Sequence, residues 1–319
     1  MEIGIHGFDL DATQYYRDLG VTWTKISGEF SPLFREERAS AAAARELGMQ
    51  VVVDLRTGAD RLNELWAESG RKYGEDEAQD VPRTSRVAET LAQDAADFVA
   101  RHADLVSNWE FWGECYCPWV SDGVFGDKVT YTVLLKALYR AIKEVQPEAR
   151  IWTGGNGTNL DPEWVMAILQ DDCGGSFDVL NLHPFWISLR DLVVTSKLLE
   201  NSLGYMRRRL REDARDQPFA ATEWGHPHTP ERTQLWSNVE GGLMSLDYAE
   251  ACEWFERDLQ AFERWGFEVV IVHELMDHAD RPGAQRLFWG NYCGLRDMDK
   301  RAKPTWDIIQ RWAWQGRGG

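Results

Sequence analysis

The sequence predicts an α/β fold, a single (β/α)8 TIM barrel with long βα loops at its C-terminal face. Short apolar or β-branched runs alternate with longer amphipathic segments, which is typical of a parallel sheet built from βα units. There are eight such runs and none is left over, which favours a closed barrel over an open, doubly wound sheet. In chain order the predicted strands are Glu2–Phe8, Val21–Ser27, Gln50–Leu55, Asn108–Trp112, Arg150–Gly154, Asp178–Leu182, Pro218–Thr222 and Val269–His273.

The length agrees with this fold. A barrel of this kind takes about 250 residues, and the 319 residues here leave room for loop insertions. The chain is 44% hydrophobic, enough for a large core, and no Gly/Ser-rich or Pro-rich stretch offers a linker. We therefore expect residues 1–319 to form one barrel domain.

Residues that start and stop helices lie between the predicted strands. Asp11 with Gln14 resembles a capping box, and Gly20 closes that helix. Phe34–Leu47 is rich in Ala, Arg and Glu, and Gly48 ends it. These signals predict the first two helices of the barrel.

Helix signals also occur later in the chain. The pair Asp161-Pro162 is typical of the N-cap and first residue of a helix, here the fifth. Lys303-Pro304 precedes the last helix, whose Trp306, Ile309 and Trp312 repeat at helical spacing. Two connections, Arg56–Ser85 and His226–Ser245, are long and predict loops over the active face.

The charge excludes some partners. The formal net charge of −17 argues against nucleic acid and against an anionic membrane, because both would repel this surface. No stretch approaches the roughly 18 apolar residues of a membrane span. The chain opens directly into a strand-like run without a signal-peptide pattern. We expect a cytoplasmic protein, or a secreted one whose signal has been removed, and the oligomeric state stays open.

The cysteines and histidines predict neither a disulfide framework nor a metal centre. The five cysteines have no regular spacing, and Cys115-x-Cys117 lacks the gap and the second pair of a zinc site. His273 and His278 resemble a His-Glu-x-x-His motif with one residue too many, and they follow a strand instead of sharing a helix face. We therefore expect no cofactor and no metal.

Acidic residues end two of the predicted strands. In such a barrel the functional groups lie at the C-terminal ends of the strands. By strand alternation Glu110, Trp112 and Glu114 share one side of strand four, and Glu223 ends strand seven. Two carboxylates that flank one cleft are what acetal cleavage requires, one to protonate the leaving oxygen and one to stabilise or attack the sugar carbon.

Four segments carry a family resemblance. Trp109–Glu114 resembles the Trp-Glu-Ile-Trp-Asn-Glu-Pro motif of strand four in glycoside hydrolases of clan A, which include family 5 cellulases and mannanases and family 39 xylosidases. Thr222–Gly225 resembles that clan's Thr-Glu-Phe/Trp-Gly motif of strand seven. Asp178–Pro184 is similar to its strand-six signature, and Gly294–Pro304 resembles its lead into the last helix. The resemblance spans the whole chain in the right order.

The resemblance implies a retaining hydrolase of β-linked oligo- or polysaccharide that needs no cofactor. It implies that Glu114 is the acid/base and Glu223 the nucleophile. Three positions depart from the clan. Gly113 stands where the clan has an Asn that hydrogen-bonds the sugar 2-hydroxyl, Lys25 replaces an Arg that supports the nucleophile, and Phe185 replaces a Tyr. Groups that could substitute for the lost contacts are His6, Arg56, His183 and His273.

Aromatic and polar residues near the strand ends are candidates for carbohydrate contact. Tryptophan offers a flat apolar face to a sugar ring, and the chain has 16 of them. Glu110 is either a buried partner of Lys25 or a substrate contact, and His183 either lines the site or caps the barrel. The expected substrate-binding residues are His6, Lys25, Arg56, Glu110, His183, Trp186, Trp224, His273 and Trp289.

Two other functions compete with hydrolysis by two glutamates. The three departures are compatible with a non-catalytic carbohydrate-binding barrel derived from such an enzyme. The histidines are compatible with a metal-dependent hydrolase on the same fold. Turnover of aryl β-glycosides with and without a chelator separates the three hypotheses.

Overall fold

The computed structural model describes residues 1–29, 34–57, 81–114, 128–155, 175–185, 201–208, 217–235, 243–279 and 288–316. Within these ranges the barrel strands are β1 (Glu2–His6), β2 (Trp23–Glu29), β3 (Gln50–Arg56), β4 (Asn108–Phe111), β5 (Arg150–Thr153), β6 (Leu180–Leu182), β7 (Phe219–Trp224) and β8 (Phe267–Val272).

The eight strands form one parallel sheet that closes on itself. Their order is β5-β4-β3-β2-β1-β8-β7-β6, and every neighbouring pair is parallel. A parallel bridge between Trp152 and Val179 joins β5 to the residues just before β6. Each predicted strand is present, and the predicted (β/α)8 barrel is confirmed.

Helices lie between the strands in the described ranges, as the sequence predicts. They are α1 (Thr13–Leu19), α2 (Phe34–Glu46), α3 (Val81–His102), α4 (Lys128–Val145), α5 (Tyr248–Arg264) and α6 (Thr305–Gly316), and residues 201–208 are also helical. No described helix is long and apolar enough to cross a membrane. That residues 1–319 form one domain stays a prediction.

The helix ends test the individual sequence signals. Gly20 and Gly48 adopt φ angles of 76° and 77°, the left-handed conformation that ends a helix, so both stop signals are confirmed. The capping box of Asp11 and Gln14 is wrong. Asp9 instead caps a 3-10 turn by accepting the Asp11 backbone N–H, and α1 then begins without a side-chain cap.

The later signals have mixed outcomes. Trp306, Ile309 and Trp312 are buried along α6, as their spacing predicts. The pair Asp161-Pro162 lies outside the described residues. The C-terminal boundary of the predicted loop Arg56–Ser85 is wrong, because α3 already begins at Val81.

The predicted loop His226–Ser245 contains short paired strands. His228–Thr229 pairs in parallel with Leu246–Asp247, and Gln234–Leu235 pairs antiparallel with Leu243–Met244. These pairs fix the described parts of the connection between β7 and α5.

The barrel interior has an apolar floor. Trp23, on β2, and Trp152, on β5, contact each other with ring centroids 5.5 Å apart, although their strands are not neighbours. The contact therefore crosses the inside of the barrel. Because alternate residues of a strand face the same side, Lys25 lies one layer above Trp23 on β2, and Asp54 lies one layer above Val52 on β3. The polar layer above the floor is the candidate site.

Glycine is required where β5 ends against β4. A Cβ atom on Gly154 would lie 2.2 Å from the carbonyl oxygen of Trp112 and 2.5 Å from that of Phe111. The Gly154 N–H also donates to the Tyr131 hydroxyl at 2.7 Å, which restricts backbone movement. This close approach holds the segment that carries Glu114 against β5.

Gly154→Ala is expected to lower the free energy of unfolding by about 1–3 kcal/mol, because the methyl group overpacks a backbone contact. Gly175→Ala is the matched control, since a Cβ atom there meets nothing within 4 Å. Urea denaturation of both variants measures the difference. Equal stabilities for the two variants would contradict the close packing of β4 and β5.

Candidate active site

The turn after β4 presents Glu114 over the mouth of the barrel. Three successive backbone N–H groups are held there: Trp112 donates to the Leu55 carbonyl at 3.2 Å, Gly113 donates to Asp54 Oδ1 at 2.9 Å, and Glu114 donates to the Gly155 carbonyl at 3.0 Å. Trp112 and Glu114 adopt φ angles of 57° and 54°, an uncommon conformation for residues other than glycine. Such conformations persist where the surroundings enforce them, often at functional sites.

This turn corrects the predicted alternation along strand four. β4 ends at Phe111, so Trp112 does not share a side with Glu110 and Glu114. Its side chain is buried in the main hydrophobic core instead. Glu110 remains inside the barrel, and Glu114 reaches the mouth by the left-handed turn.

Lys25 lies at the centre of a group of carboxylates. Its Nζ is 2.9 Å from Glu223 Oε1, 3.0 Å from Glu110 Oε2 and 3.7 Å from Asp54 Oδ2, and its side chain is fully buried. Burial lowers the pKa of Lys25, but attraction by these carboxylates outweighs it and raises that pKa above its usual range. Lys25 is therefore a buried ammonium ion.

Glu223 is held in its ionised form. Burial raises the pKa of its carboxyl group, but attraction by His183 and Lys25, with smaller effects from His6 and His273, lowers it well below the usual range. The side chain is 13% exposed, so the carboxylate borders the mouth of the barrel. An ionised and accessible carboxylate has the properties that a nucleophile requires.

His183 connects the two glutamates at the mouth. Its Nδ1 lies 3.2 Å from Glu114 Oε1 and 3.7 Å from Glu223 Oε2. Its Nε2 lies 2.9 Å from the Thr222 hydroxyl and 3.4 Å from Glu110 Oε1. Gly155 makes room for the ring, because a Cβ atom there would lie 1.9 Å from His183 Cδ2.

The surrounding carboxylates favour a charged His183. Burial and Lys25 lower the pKa of the imidazole, but attraction by Glu223 and hydrogen bonds to Glu110 and Glu114 raise it to about 9. His183 is therefore an imidazolium ion at neutral pH, placed between the two glutamates.

His6 and His273 form a pair on the other flank of Glu223. Their Nδ1 atoms are 2.7 Å apart, which requires one to donate and the other to accept, and their rings stack at 4.9 Å. His6 Nε2 lies 3.9 Å from Glu223 Oε1. Burial lowers the pKa of His6 to about 3, so its ring is neutral at pH 7.

Three or more potential metal ligands meet at two places in the described residues. Ligand atoms of His6, Glu223 and His273 lie within 4.8 Å of one another, and so do those of Glu114, His183 and Glu223. In both groups the ammonium of Lys25 is 2.9 Å from the shared glutamate, which opposes the binding of a cation.

Four of the expected sugar contacts are buried in the structure. Lys25, Glu110 and His183 have fully buried side chains that contact one another, and their contact with a sugar stays a prediction. Trp224 is also fully buried, because its ring packs against Phe255 of α5 and its Nε1 donates to Asp258 at 3.0 Å. Glu110 was expected to be either a buried partner of Lys25 or a substrate contact, and in the structure it is a buried partner of Lys25.

Other candidates remain predictions. The side chains of His6 and Arg56 are 20% and 27% exposed, and His273 and Trp289 are half-buried. Phe185, the residue that replaces the clan's Tyr, is buried between the rings of His273 and Trp289 at 5.7 Å and 5.5 Å. Trp186 lies outside the described residues. Contact of a sugar with these exposed side chains stays a prediction.

Asp54 belongs to the site although it is not among the residues that the sequence predicts there. It binds Lys25, Arg56 and the Gly113 N–H, and it is fully buried. Strand alternation was a usable signal, because an acidic residue one position before the last strand residue of Gln50–Leu55 faces the interior together with Val52.

Solved structures with the same barrel include glycosidases. A β-glucuronidase from Ruminococcus gnavus in complex with D-glucuronic acid matches 98% of this chain and 49% of its own, with a TM-score of 0.63 and 14% identity. The GH53 catalytic domain of Ignisphaera aggregans matches 97% of this chain and 91% of its own, with a TM-score of 0.60 and 15% identity. A calcium-binding mutant of Bacteroides uniformis β-glucuronidase 2 matches 96% of this chain and 34% of its own, with a TM-score of 0.61 and 13% identity.

The chain spans about half the length of the Ruminococcus gnavus enzyme that it matches. No family model matches the sequence, and no curated protein matches it. At these identities the likeness shows the fold: the chain has the TIM-barrel fold found in these glycosidases.

The charged His183 makes stability depend on pH. Its pKa is about 9 in the folded protein and about 6.5 in the unfolded chain. The folded state therefore binds the proton more tightly, and this stabilisation is fully present below pH 6.5 and is lost as pH rises through 9. We expect wild-type stability to fall by on the order of 3 kcal/mol across this window.

His183→Gln is expected to remove this fall, as measured by urea denaturation at intervals from pH 6 to pH 10. His228→Gln is the matched control, because His228 is also fully buried but its pKa is lowered, so it stays neutral across the window. The control should keep the wild-type slope. A slope that His183→Gln leaves unchanged would contradict the charged imidazolium.

Proposed function

We propose that the protein is a retaining glycoside hydrolase that cleaves β-linked oligo- or polysaccharide, with Glu223 as nucleophile and Glu114 as acid/base. One observation carries the proposal: an oxygen of Glu114 and an oxygen of Glu223 lie within 4.8 Å of each other at the mouth of the barrel. Retaining enzymes hold their two carboxyl groups ~5–5.5 Å apart, whereas inverting enzymes leave ~6.5–9.5 Å for a water molecule. Two oxygens this close are compatible with the shorter separation of a retaining enzyme.

In the first step the Glu223 carboxylate attacks the anomeric carbon of the sugar. The glycosidic C–O bond breaks, and the Glu114 carboxyl group donates its proton to the departing oxygen. The product is a glycosyl ester of Glu223. In the second step the Glu114 carboxylate takes a proton from water, the water oxygen bonds to the anomeric carbon, and Glu223 is released as a carboxylate.

The charges around Glu223 suit the role of nucleophile. Lys25 and His183 lower the pKa of Glu223, so it is ionised before the attack. His183 Nδ1 also lies 3.2 Å from Glu114, within reach of the carboxylate that forms when Glu114 gives up its proton. Donors placed where charge develops are a large source of catalysis.

Two departures from the clan A motifs have substitutes near Glu223. Lys25 supports the nucleophile at 2.9 Å, although it is not an Arg. Phe185 cannot donate to the nucleophile as a Tyr would, but His183 and His6 lie 3.7 Å and 3.9 Å from its oxygens. The site therefore retains cationic and polar support for Glu223, which favours an enzyme over a non-catalytic carbohydrate-binding barrel. The glycosidases that share the fold add further support.

A metal-dependent hydrolase is the second candidate, because His6, His273 and Glu223 can offer three ligand atoms within 4.8 Å. Lys25 disfavours it, since its ammonium already occupies the Glu223 oxygen that faces His6. Turnover of 4-nitrophenyl β-glycosides that persists in excess EDTA would support the two-glutamate mechanism. Loss of turnover in EDTA, restored by a divalent metal, would support the second candidate.

Glu223→Gln is expected to lower kcat by at least about 1,000-fold, because the amide cannot form the glycosyl ester. Its binding of the same glycoside, measured by calorimetry, should persist. Glu268→Gln is the control, since Glu268 is a partly buried glutamate paired with Arg150 and remote from the mouth. A Glu223→Gln variant that keeps a tenth of the wild-type rate would remove Glu223 from the nucleophile role.

Glu114→Ala is expected to lose about 100- to 10,000-fold on glycosides with poor leaving groups, the usual contribution of a general acid. Activated aryl glycosides need little protonation and should lose far less in the first step. Azide should restore turnover of activated substrates and yield the β-glycosyl azide, because it attacks the intermediate without a general base. Equal losses on both substrate types and no azide effect would instead indicate a structural role.

A further inference from the structure

The neighbours of Gly113 leave no room for a side chain at this position. A Cβ atom on Gly113 would lie 2.8 Å from Asp54 Oδ2, 2.9 Å from Glu110 Oε1 and 3.1 Å from Arg56 Nη2. The φ angle of Gly113 is not in the left-handed range, so backbone conformation does not demand glycine here. The space beside Gly113, immediately before Glu114, is filled by Arg56 and by the carboxylate that holds it.

Asp54 fixes the position of Arg56. Its Oδ2 accepts from Arg56 Nε at 2.7 Å and lies 2.5 Å from Nη2. Its Oδ1 accepts the N–H of Gly113 at 2.9 Å. One carboxylate thus joins the guanidinium to the turn that presents Glu114, and a guanidinium held on one edge has further N–H donors on its other edge.

Arg56 differs from the other two cations of the site in its exposure. Lys25 and His183 are fully buried, whereas the Arg56 side chain is 27% exposed. Burial lowers the pKa of Arg56, but attraction by Asp54, Glu223 and Glu110 raises it above its usual range, so the group stays charged. Among the described residues of the site, Arg56 is the permanently charged donor that a ligand can reach.

A retaining glycosidase needs such a donor. Hydrogen bonds to the sugar 2-hydroxyl strengthen in the transition state and contribute much of its stabilisation. His6 and His273 are joined through their Nδ1 atoms, which leaves their Nε2 atoms as the only further donor positions. Arg56 lies beside Gly113, the residue before Glu114, and offers several charged N–H groups in a fixed geometry.

We propose that Arg56 is the residue that recognises the substituent on carbon 2 of the sugar bound between Glu114 and Glu223. The proposal rests on the proposed function. Because a guanidinium only donates, the substituent must accept a hydrogen bond. Hydroxyl and acylamino groups fit this requirement, and a charged 2-amino group is repelled. The substrate class is therefore a β-glycoside with a neutral or anionic acceptor at carbon 2.

The test couples a change in the protein to a change in the sugar. The probes are the best substrate from 4-nitrophenyl β-glucoside, galactoside, mannoside, xyloside and glucuronide, together with its 2-deoxy, 2-amino-2-deoxy and 4-deoxy forms. In wild type, the 2-deoxy form should lose about 10- to 100-fold in kcat/KM, as for a hydrogen bond to a charged group. The 2-amino form should be poorer still.

Arg56→Met is expected to lower kcat/KM on the parent glycoside and to reduce the 2-deoxy penalty to about threefold or less, with the 4-deoxy penalty unchanged. Arg56→Lys keeps a cation beside Asp54, so it serves if the methionine variant fails to fold, and it should lose the same discrimination in part. Arg150→Met is the matched control, because Arg150 is also a half-exposed arginine paired with a carboxylate, Glu268. It should keep both wild-type penalties.

Equal losses on the parent, 2-deoxy and 4-deoxy forms would mean that Arg56 only supports the turn, and the proposal would fail while hydrolysis stands. A change in the 4-deoxy penalty alone would also overturn it.

If wild type turns over no glycoside, calorimetry of the same sugars decides. Binding of the parent weakened by Arg56→Met, with the 2-deoxy form unaffected, would keep the proposal and reject hydrolysis. Absence of both turnover and binding would overturn both.

Discussion

The buried ammonium of Lys25 is the interaction on which the candidate site depends. Without it, Asp54, Glu110 and Glu223 would be carboxylates packed together in the barrel, and their mutual repulsion and desolvation would favour protonation. Contacts of 2.9 Å and 3.0 Å to Glu223 and Glu110 offset that cost. Removing one partner of such a group typically costs about 3–5 kcal/mol, because the remaining charges stay buried and uncompensated. Lys25 therefore couples the stability of the barrel to the ionisation of Glu223.

The barrel brings these charges together above its apolar floor. Asp54 pairs with Glu110 across β3 and β4, and the long side chain of Lys25 reaches both carboxylates from β2. Inward-facing residues one step lower are apolar, as in the Trp23–Trp152 contact, so water is excluded from below. Charges on such a floor interact more strongly than charges in water. Glu114 and Glu223 are only slightly exposed, and this places their carboxylates at the boundary between the dry layer and solvent.

Sequence pattern predicted the parts of the structure that depend on local periodicity. All eight strands and the glycine stops at Gly20 and Gly48 follow from it. It was wrong about Trp112, because strand alternation stops applying once the backbone turns to a positive φ angle. It did not indicate that Trp224 is buried, since a buried tryptophan and a sugar platform look alike in sequence. Asp54 was missed because two of its contacts, to Lys25 and to the Gly113 N–H, reach other strands and are set by the barrel and not by its neighbours in the chain.

Gly113 and Lys25, two positions at which the sequence differs from the clan A motifs that it resembles, are physically connected. Lys25 is a single ammonium without the planar fork of an arginine, and Asp54 Oδ2, 3.7 Å from it, also binds the guanidinium of Arg56. Arg56 on β3 thus brings into the site the guanidinium that β2 lacks. It does so only because Gly113 has no side chain, since a Cβ atom there would meet Asp54, Glu110 and Arg56. Asp54 contacts Lys25, Arg56 and the Gly113 N–H, so the residues at positions 25 and 113 belong to one arrangement. Replacing Gly113 by Asn, or Lys25 by Arg, without the other change would therefore disturb the contacts of both.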